Sequence, residues 1–163
     1  MKKYILLFAI LLSSCETQTE LSGSGYWIAE DGNEKFVNAS DDYTDIFKAW
    51  VEAHNEKDID KVLSYETEDV ILDLPDGTLI EGKEAHSQGL ENYFNLDPEL
   101  NLFWALPYVG VNNAEVWIIA GSVEDTTTEE GKQSRLLMVD AQFTEDKLSR
   151  IIFYEKARPS SQN

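Results

Sequence analysis

Over residues 41–64 the apolar positions recur every three to four residues. Tyr43, Phe47, Trp50 and His54 fall on one side of a helix, and Asp41 and Asp42 stand where acidic side chains cap its N-terminus and complement its dipole. A second, short helix is expected from Asp58, with Ile59, Val62 and Leu63 on one side. The spacing then drops to two. Val70, Leu72 and Leu74 alternate with Ile71 and Asp73 as far as Pro75-Asp76-Gly77, which predicts a short strand, a tight turn and a return over Thr78 to Glu81. After Gly82 a third helix is expected over Lys83 to Leu96, with His86, Leu90 and Tyr93 in one stripe and Gly89 and Phe94 beside it. The remainder reads as sheet: Leu100 to Val109, Ala114 to Glu124, Ser134 to Phe143 and Leu148 to Glu155 are rich in aromatic and β-branched residues. Their short connections near Asn112-Asn113, Asp125 to Gly131 and Glu145-Asp146 make consecutive hairpins, and so an antiparallel sheet. Pro107 cannot donate to a ladder and argues for an edge or a bulge in the first of these strands.

Ahead of the first helix, Tyr26, Trp27, Ile28, Phe36 and Val37 surround Asp31-Gly32-Asn33, which suits a short hairpin or an arm docked on the domain. Glu16 to Gly25 is polar, with Ser and Gly, as a flexible tether would be. At the start, Lys2 and Lys3 lead an apolar run from Ile5 to Leu12 that stops at Leu12-Ser13-Ser14-Cys15. That run is too short to cross hydrocarbon, which takes roughly 20 apolar residues. It resembles a bacterial lipoprotein signal peptide, and the resemblance implies cleavage before Cys15 and lipidation of its thiol. The expected organisation is a leader over 1–14, a lipidated cysteine, tether and arm over 15–40, one domain over 41–157 and a tail over 158–163. The expected location is the bacterial cell envelope, lipid-anchored on the periplasmic side of the outer membrane or at the cell surface.

Charge narrows the partners. The chain carries 13 Lys and Arg against 31 Asp and Glu, a formal charge of −18, and loss of Lys2 and Lys3 with the leader takes it to −20. Such a surface repels polyanions, so no nucleic acid is expected, and membrane contact is expected through the lipid alone. The acid reads first as a solubilising surface, since no Asp-rich loop of calcium type is present. Cys15 is the sole cysteine. With its thiol acylated, neither a disulfide nor a thiolate nucleophile or metal ligand remains.

Helix, short helix, strand pair, helix and then a long meander is the order of the nuclear transport factor 2-like superfamily, which includes SnoaL-like polyketide cyclases and ketosteroid isomerases. Lys57-Asp58-Ile59-Asp60, Glu68-Asp69-Val70, Pro75-Asp76-Gly77, Glu81-Gly82-Lys83-Glu84-Ala85 and Asp146-Lys147-Leu148 resemble its recurring phrases, over Asp41 to about Ala157. The resemblance implies an α+β fold, a cone-shaped barrel of a curved antiparallel sheet wrapped around three helices. It also implies a small-molecule pocket in the mouth of the cone and pairing of cones through their sheets as homodimers. Function varies widely on this scaffold.

Laid against the isomerase branch from Trp50 to Gly77, the chain has Trp50 in place of the oxyanion-donating tyrosine and Leu74 in place of the aspartate base. The second oxyanion donor, an aspartate, falls near Val139, one residue from Asp140. Without a carboxylate at Leu74 that route lacks its base. Alternation puts Leu74 with Val70 and Leu72 on an apolar floor and turns Asp73 to the opposite face, as a solvated turn residue more readily than a chemical one.

His54 and His86 read as buried, satisfied core histidines, or else as ligand-binding or acid–base groups. Two histidines make a weak metal site, and neither a metal nor a cofactor is expected. Trp104, Trp117 and Tyr154 suit packing, or a flat apolar ligand held by stacking. Asp140 is either solvated on the convex face or buried with a partner. The expected function is non-catalytic binding of an apolar or aromatic small molecule in a pocket of Trp50, His54, Leu74, His86, Trp104, Trp117, Val139 and Tyr154. The alternatives are a lyase, isomerase or cyclase using His54 or His86 with Asp140, and an envelope protein-interaction module using the outer sheet face.

Overall fold

The computed structural model describes residues 25–29, 32–129 and 131–158. Cys15, the leader and the tether lie outside them. Two helices form first in chain order along the core: α1 (Asp42–Asn55) and α2 (Ile59–Ser64). The side chain that caps α1 is Ser40, whose Oγ accepts from Asp42 N, while Asp41 makes no side-chain cap. Asp58 caps α2 by accepting from Lys61 N at 3.0 Å. The third expected helix divides into α3 (Lys83–Tyr93) and a single 3₁₀ turn over Phe94–Leu96, closed by Asp97 at positive φ.

Among the described residues eight strands make one sheet. They are β1 (Gly25–Ala29), β2 (Gly32–Asn38), β3 (Glu66–Asp73), β4 (Leu79–Glu81), β5 (Glu99–Gly110), β6 (Val116–Thr128), β7 (Gly131–Thr144) and β8 (Lys147–Ala157). Their order is β1-β2-β5-β6-β7-β8-β3-β4, so the curved sheet is not closed among the described residues: β1 and β4 are its edges. The expected cone of a curved sheet around three helices is what forms, with its sheet open between these two edges. One pairing departs from the antiparallel expectation, because β3 joins β8 in parallel. Reaching β8 through α3 and the meander returns β3's neighbour in the same direction, a connection no hairpin can make.

The N-terminal segment is a hairpin that extends the sheet. β2 pairs with β5 from Phe36↔Gly110 to Asn38↔Tyr108, the Phe36 ring meets Tyr108 edge-on, and Glu34 accepts from Asn112 N and Asn112 Nδ2 in the β5–β6 turn. Ala39 N donates to Pro107 O just where β2 ends, so the missing Pro107 N–H faces the side where pairing runs out. The bulge in β5 lies instead at Phe103, where the register shifts between Leu102 and Trp104.

The concave side of the sheet holds α1 and α3 around a core of Phe47, Trp50, Ala53, Val62, Val70, Leu72, Leu90, Ile118, Val139, Leu148 and Ile151. Burying each of the larger side chains contributes about 1.5–3 kcal/mol, which fixes the helices against the sheet and shapes what the helices do not fill.

Candidate functional site

What they leave is a cavity of about 440 Å³ between α1, α3 and the concave face. Phe47, Leu72, Leu74, Leu90, Leu100, Leu102, Ala120, Leu137, Val139 and Phe153 supply apolar wall. Polar groups converge at two places.

At the first, Glu66 is fully buried at the start of β3. Trp50 Nε1 donates to its Oε1 at 2.8 Å, and His86 Nδ1 lies 2.9 Å from its Oε2. His54, one turn beyond Trp50, places Nδ1 2.8 Å from the Trp50 carbonyl. A carbonyl only accepts, so this nitrogen carries the proton and Nε2 holds the lone pair. Burial holds the His54 imidazole down at about 4, against the upward pull of the Trp50 carbonyl and with a smaller push from His86. His54 is therefore neutral. The two imidazole centroids are 6.2 Å apart.

At the second, Glu124 on β6 is 3% exposed and accepts from Tyr93 Oη at 2.6 Å and from Arg135 Nε, while Arg135 also donates to Glu155. Burial and the Glu124 carboxylate push the Tyr93 hydroxyl well above the ordinary phenol range. Burial opposes the Arg135 charge, but Glu124 and Glu155 outweigh it and raise its pKa. Asp76 completes the polar rim.

Of the residues expected in the pocket, the structure brings Trp50, His54, Leu74, His86 and Val139 together in its wall. Trp104, Trp117 and Tyr154 line other surfaces. Strict alternation along β5 would have put Trp104 inward after Leu100 and Leu102, but the bulge at Phe103 reverses the parity, so Ala105 joins the core and Trp104 lies across Gly121 on the convex side. Trp117 alternates with inward Ile118, and Tyr154 with inward Phe153. Asp140 is likewise convex. It accepts from Tyr108 Oη at 2.8 Å, and burial raises its pKa despite that bond, but it does not meet either histidine. Asp73 faces Arg150 at 3.7 Å, outside the cavity.

The sequence reading missed Glu66, Glu124 and Arg135. Glu66 stands in the polar run Glu66-Thr67-Glu68-Asp69, where nothing marks it as the buried member. Glu124 and Arg135 share the inward row that pairs across β6 and β7, a signal that only the register discloses. Among the described residues no group of three or more His, Cys, Asp and Glu is placed to hold a metal ion.

Comparison with solved structures identifies the architecture. A cystatin-fold protein from Novosphingobium aromaticivorans superposes with a TM-score of 0.56 at 23% identity, covering 69% of this chain and 97% of its own. A candidate ketosteroid isomerase from Kribbella flavida gives 0.60 at 13%, covering 77% and 86%. This chain has the nuclear transport factor 2-like cone fold. The cone is shared with SalBIII, an epoxide hydrolase/cyclase-like enzyme of pyran-ring formation in salinomycin, at a TM-score of 0.60 and 14% identity over 70% of this chain and 90% of that one. No family model and no curated protein matches the chain. These identities carry the cone and not an activity.

Proposed function

We propose that the cavity binds a small, largely apolar molecule that is uncharged or cationic. The observation that carries this is the cavity itself: about 440 Å³, walled by aliphatic and aromatic side chains, with polar groups confined to the histidine end and the rim. Among the described residues, Asp76, Glu124 and Glu155 line it against one cation, Arg135, so a ligand carboxylate meets net repulsion. The structural neighbours include proteins named as a polyketide cyclase and an epoxide hydrolase/cyclase-like enzyme, which supports small-molecule chemistry in this cone without choosing the ligand.

The test is calorimetric titration with 2-naphthalenemethanol and 2-naphthoate, one skeleton in neutral and anionic form. The alcohol is expected to bind, the carboxylate to bind at least tenfold more weakly, and Ala120→Phe to remove both by filling the cavity. Failure of the alcohol to bind, or binding unchanged in Ala120→Phe, overturns the reading.

In this reading the protein works at a bacterial envelope membrane, tethered through lipidated Cys15, and pairs with a second copy through the convex sheet face. What supports pairing is the apolar surface there: Leu106, Met138 and Tyr154 are 60%, 46% and 54% exposed in adjacent rows, with Trp104 and Ile152 beside them. Sedimentation should give a dimer for the wild type and a monomer for Met138→Glu; a monomeric wild type excludes the pairing.

A further inference from the structure

We propose that His54 Nε2 is the acceptor that seats a ligand hydroxyl, so that the cavity selects alcohols and phenols on a largely apolar skeleton over ethers and ketones of the same shape. The proposal rests on the reading of the cavity as a site for largely apolar molecules and deepens it by naming the group the ligand must carry. It is a binding contact, and no covalent bond changes in it.

His54 is 5% exposed, and only one of its two ring nitrogens is met by the protein. Nδ1–H donates to the Trp50 carbonyl one turn back, which fixes the tautomer and leaves the lone pair on Nε2. Among the described residues Nε2 has no partner, it is not sealed inside the core, and the ring stands in the cavity wall. The partner must therefore come from the cavity. Nearby donors of the protein are already used: Trp50 Nε1 goes to Glu66 and Tyr93 Oη to Glu124. Four rings hold the imidazole in place, Trp50 edge-on at 4.2 Å between centroids, with His86 and Phe94 at 6.2 Å and Tyr93 at 6.5 Å. Packing alone gives an imidazole no advantage here, because an apolar ring fills the same space without a buried acceptor left unmet. A donor on the ligand supplies what the protein withholds.

The chemistry of that donor follows from its surroundings. A hydroxyl gives its proton to His54 Nε2 and keeps lone pairs for His86, the other imidazole of the wall, whose Nδ1 is taken up by Glu66. It loses little hydration on entering an apolar wall. An ammonium donates too, but it brings a full charge against a neutral imidazole, and the carboxylate behind, Glu66, already meets Trp50 and His86. An ether or ketone oxygen only accepts, so it sets its own lone pairs against that of Nε2 and leaves the nitrogen unmet.

The test compares 2-naphthalenemethanol with its methyl ether, 2-(methoxymethyl)naphthalene, by calorimetry at pH 7.5, where His54 is neutral. The ether is the more apolar of the two, so hydrophobic burial alone favours it. The alcohol is expected to bind at least about tenfold more tightly, the cost of one buried acceptor left without its donor. In His54→Phe the preference should vanish while the ether keeps its wild-type affinity, which shows an intact cavity. The ¹⁵N resonance of wild-type His54 Nε2 should shift on saturation with the alcohol and stay in place with the ether, a readout that needs no variant to fold. Equal affinities of alcohol and ether in the wild type overturn the proposal and leave the apolar-binding reading standing. A preference that survives in His54→Phe assigns the hydroxyl to another lining group, Ser122 or Arg135, and overturns it too, as does an unmoved Nε2 resonance. Failure of both compounds to bind overturns both readings.

Discussion

Trp50 Nε1 donates to Glu66 Oε1 at 2.8 Å, joining α1 to β3 across 16 residues of sequence inside the core. The alignment that put Trp50 where an isomerase carries its oxyanion donor located a real cavity residue, but the indole proton is engaged by Glu66 and is not offered to a ligand. Trp50→Phe keeps most of the ring and leaves the buried carboxylate one donor short. It should destabilise the fold by about 1–3 kcal/mol, measured by denaturant unfolding. Trp50→Ala adds a cavity and should cost about 3–5 kcal/mol. Equal stabilities for wild type and Trp50→Phe would show that the bond contributes nothing.

His54 sets a pH dependence. Its imidazole titrates near 6.5 when exposed and at about 4 in the fold because burial disfavours the cation. The unfolded chain therefore takes up the proton first as pH falls. The stability tied to neutral His54 is complete above about 6.5, declines through the interval down to about 4, and amounts to about 3 kcal/mol in all. His54→Gln should flatten that part of the stability–pH curve, measured by urea unfolding between pH 7 and pH 4. An unchanged slope in the variant would remove His54 as the cause.

The Glu124 cluster invites a double-mutant cycle. Arg135→Leu leaves a buried carboxylate with Tyr93 as its remaining side-chain partner, and should cost about 1–3 kcal/mol, discounted because Arg135 is itself partly solvated. Adding Glu124→Gln removes the stranded charge. The double variant should be more stable than Arg135→Leu alone, and simple additivity of the two losses would show that the groups are not coupled.

Two N-terminal changes separate anchor from fold. Among the described residues the buried cluster and its apolar surround lie from Tyr43 onward, so a chain starting at Ser40 should fold. It should melt lower than one starting at Gly25, because β2, the Phe36–Tyr108 contact and the Glu34 latch on the β5–β6 turn are lost. Aggregation or an unfolded spectrum would make the hairpin part of the folding unit.

Cys15→Ser should leave uncleaved, unlipidated precursor, since the proposed modification needs the sulfur. Mass spectrometry of a normally processed, membrane-bound Cys15→Ser protein would remove the lipid anchor.

Periodicity alone determined much of this protein. The 3.6-residue stripe of Phe47, Trp50 and His54, the short helix with Ile59, Val62 and Leu63 on one side, the alternation of Val70, Leu72 and Leu74 and the four long strands were all legible, because each encodes which face of its own element meets the core. From those faces Trp50, His54, Leu74 and His86 followed as cavity residues. What the tertiary structure decided depends on more than one element. The bulge at Phe103 reversed the face of Trp104, and β3 joined β8 in parallel where the hairpins had suggested antiparallel pairing. Burial chose Glu66 out of four consecutive polar residues, because it alone meets an indole from α1 and an imidazole from α3. A carboxylate's partners are set by three-dimensional register, and sequence spacing of 16 and 20 residues holds no trace of it.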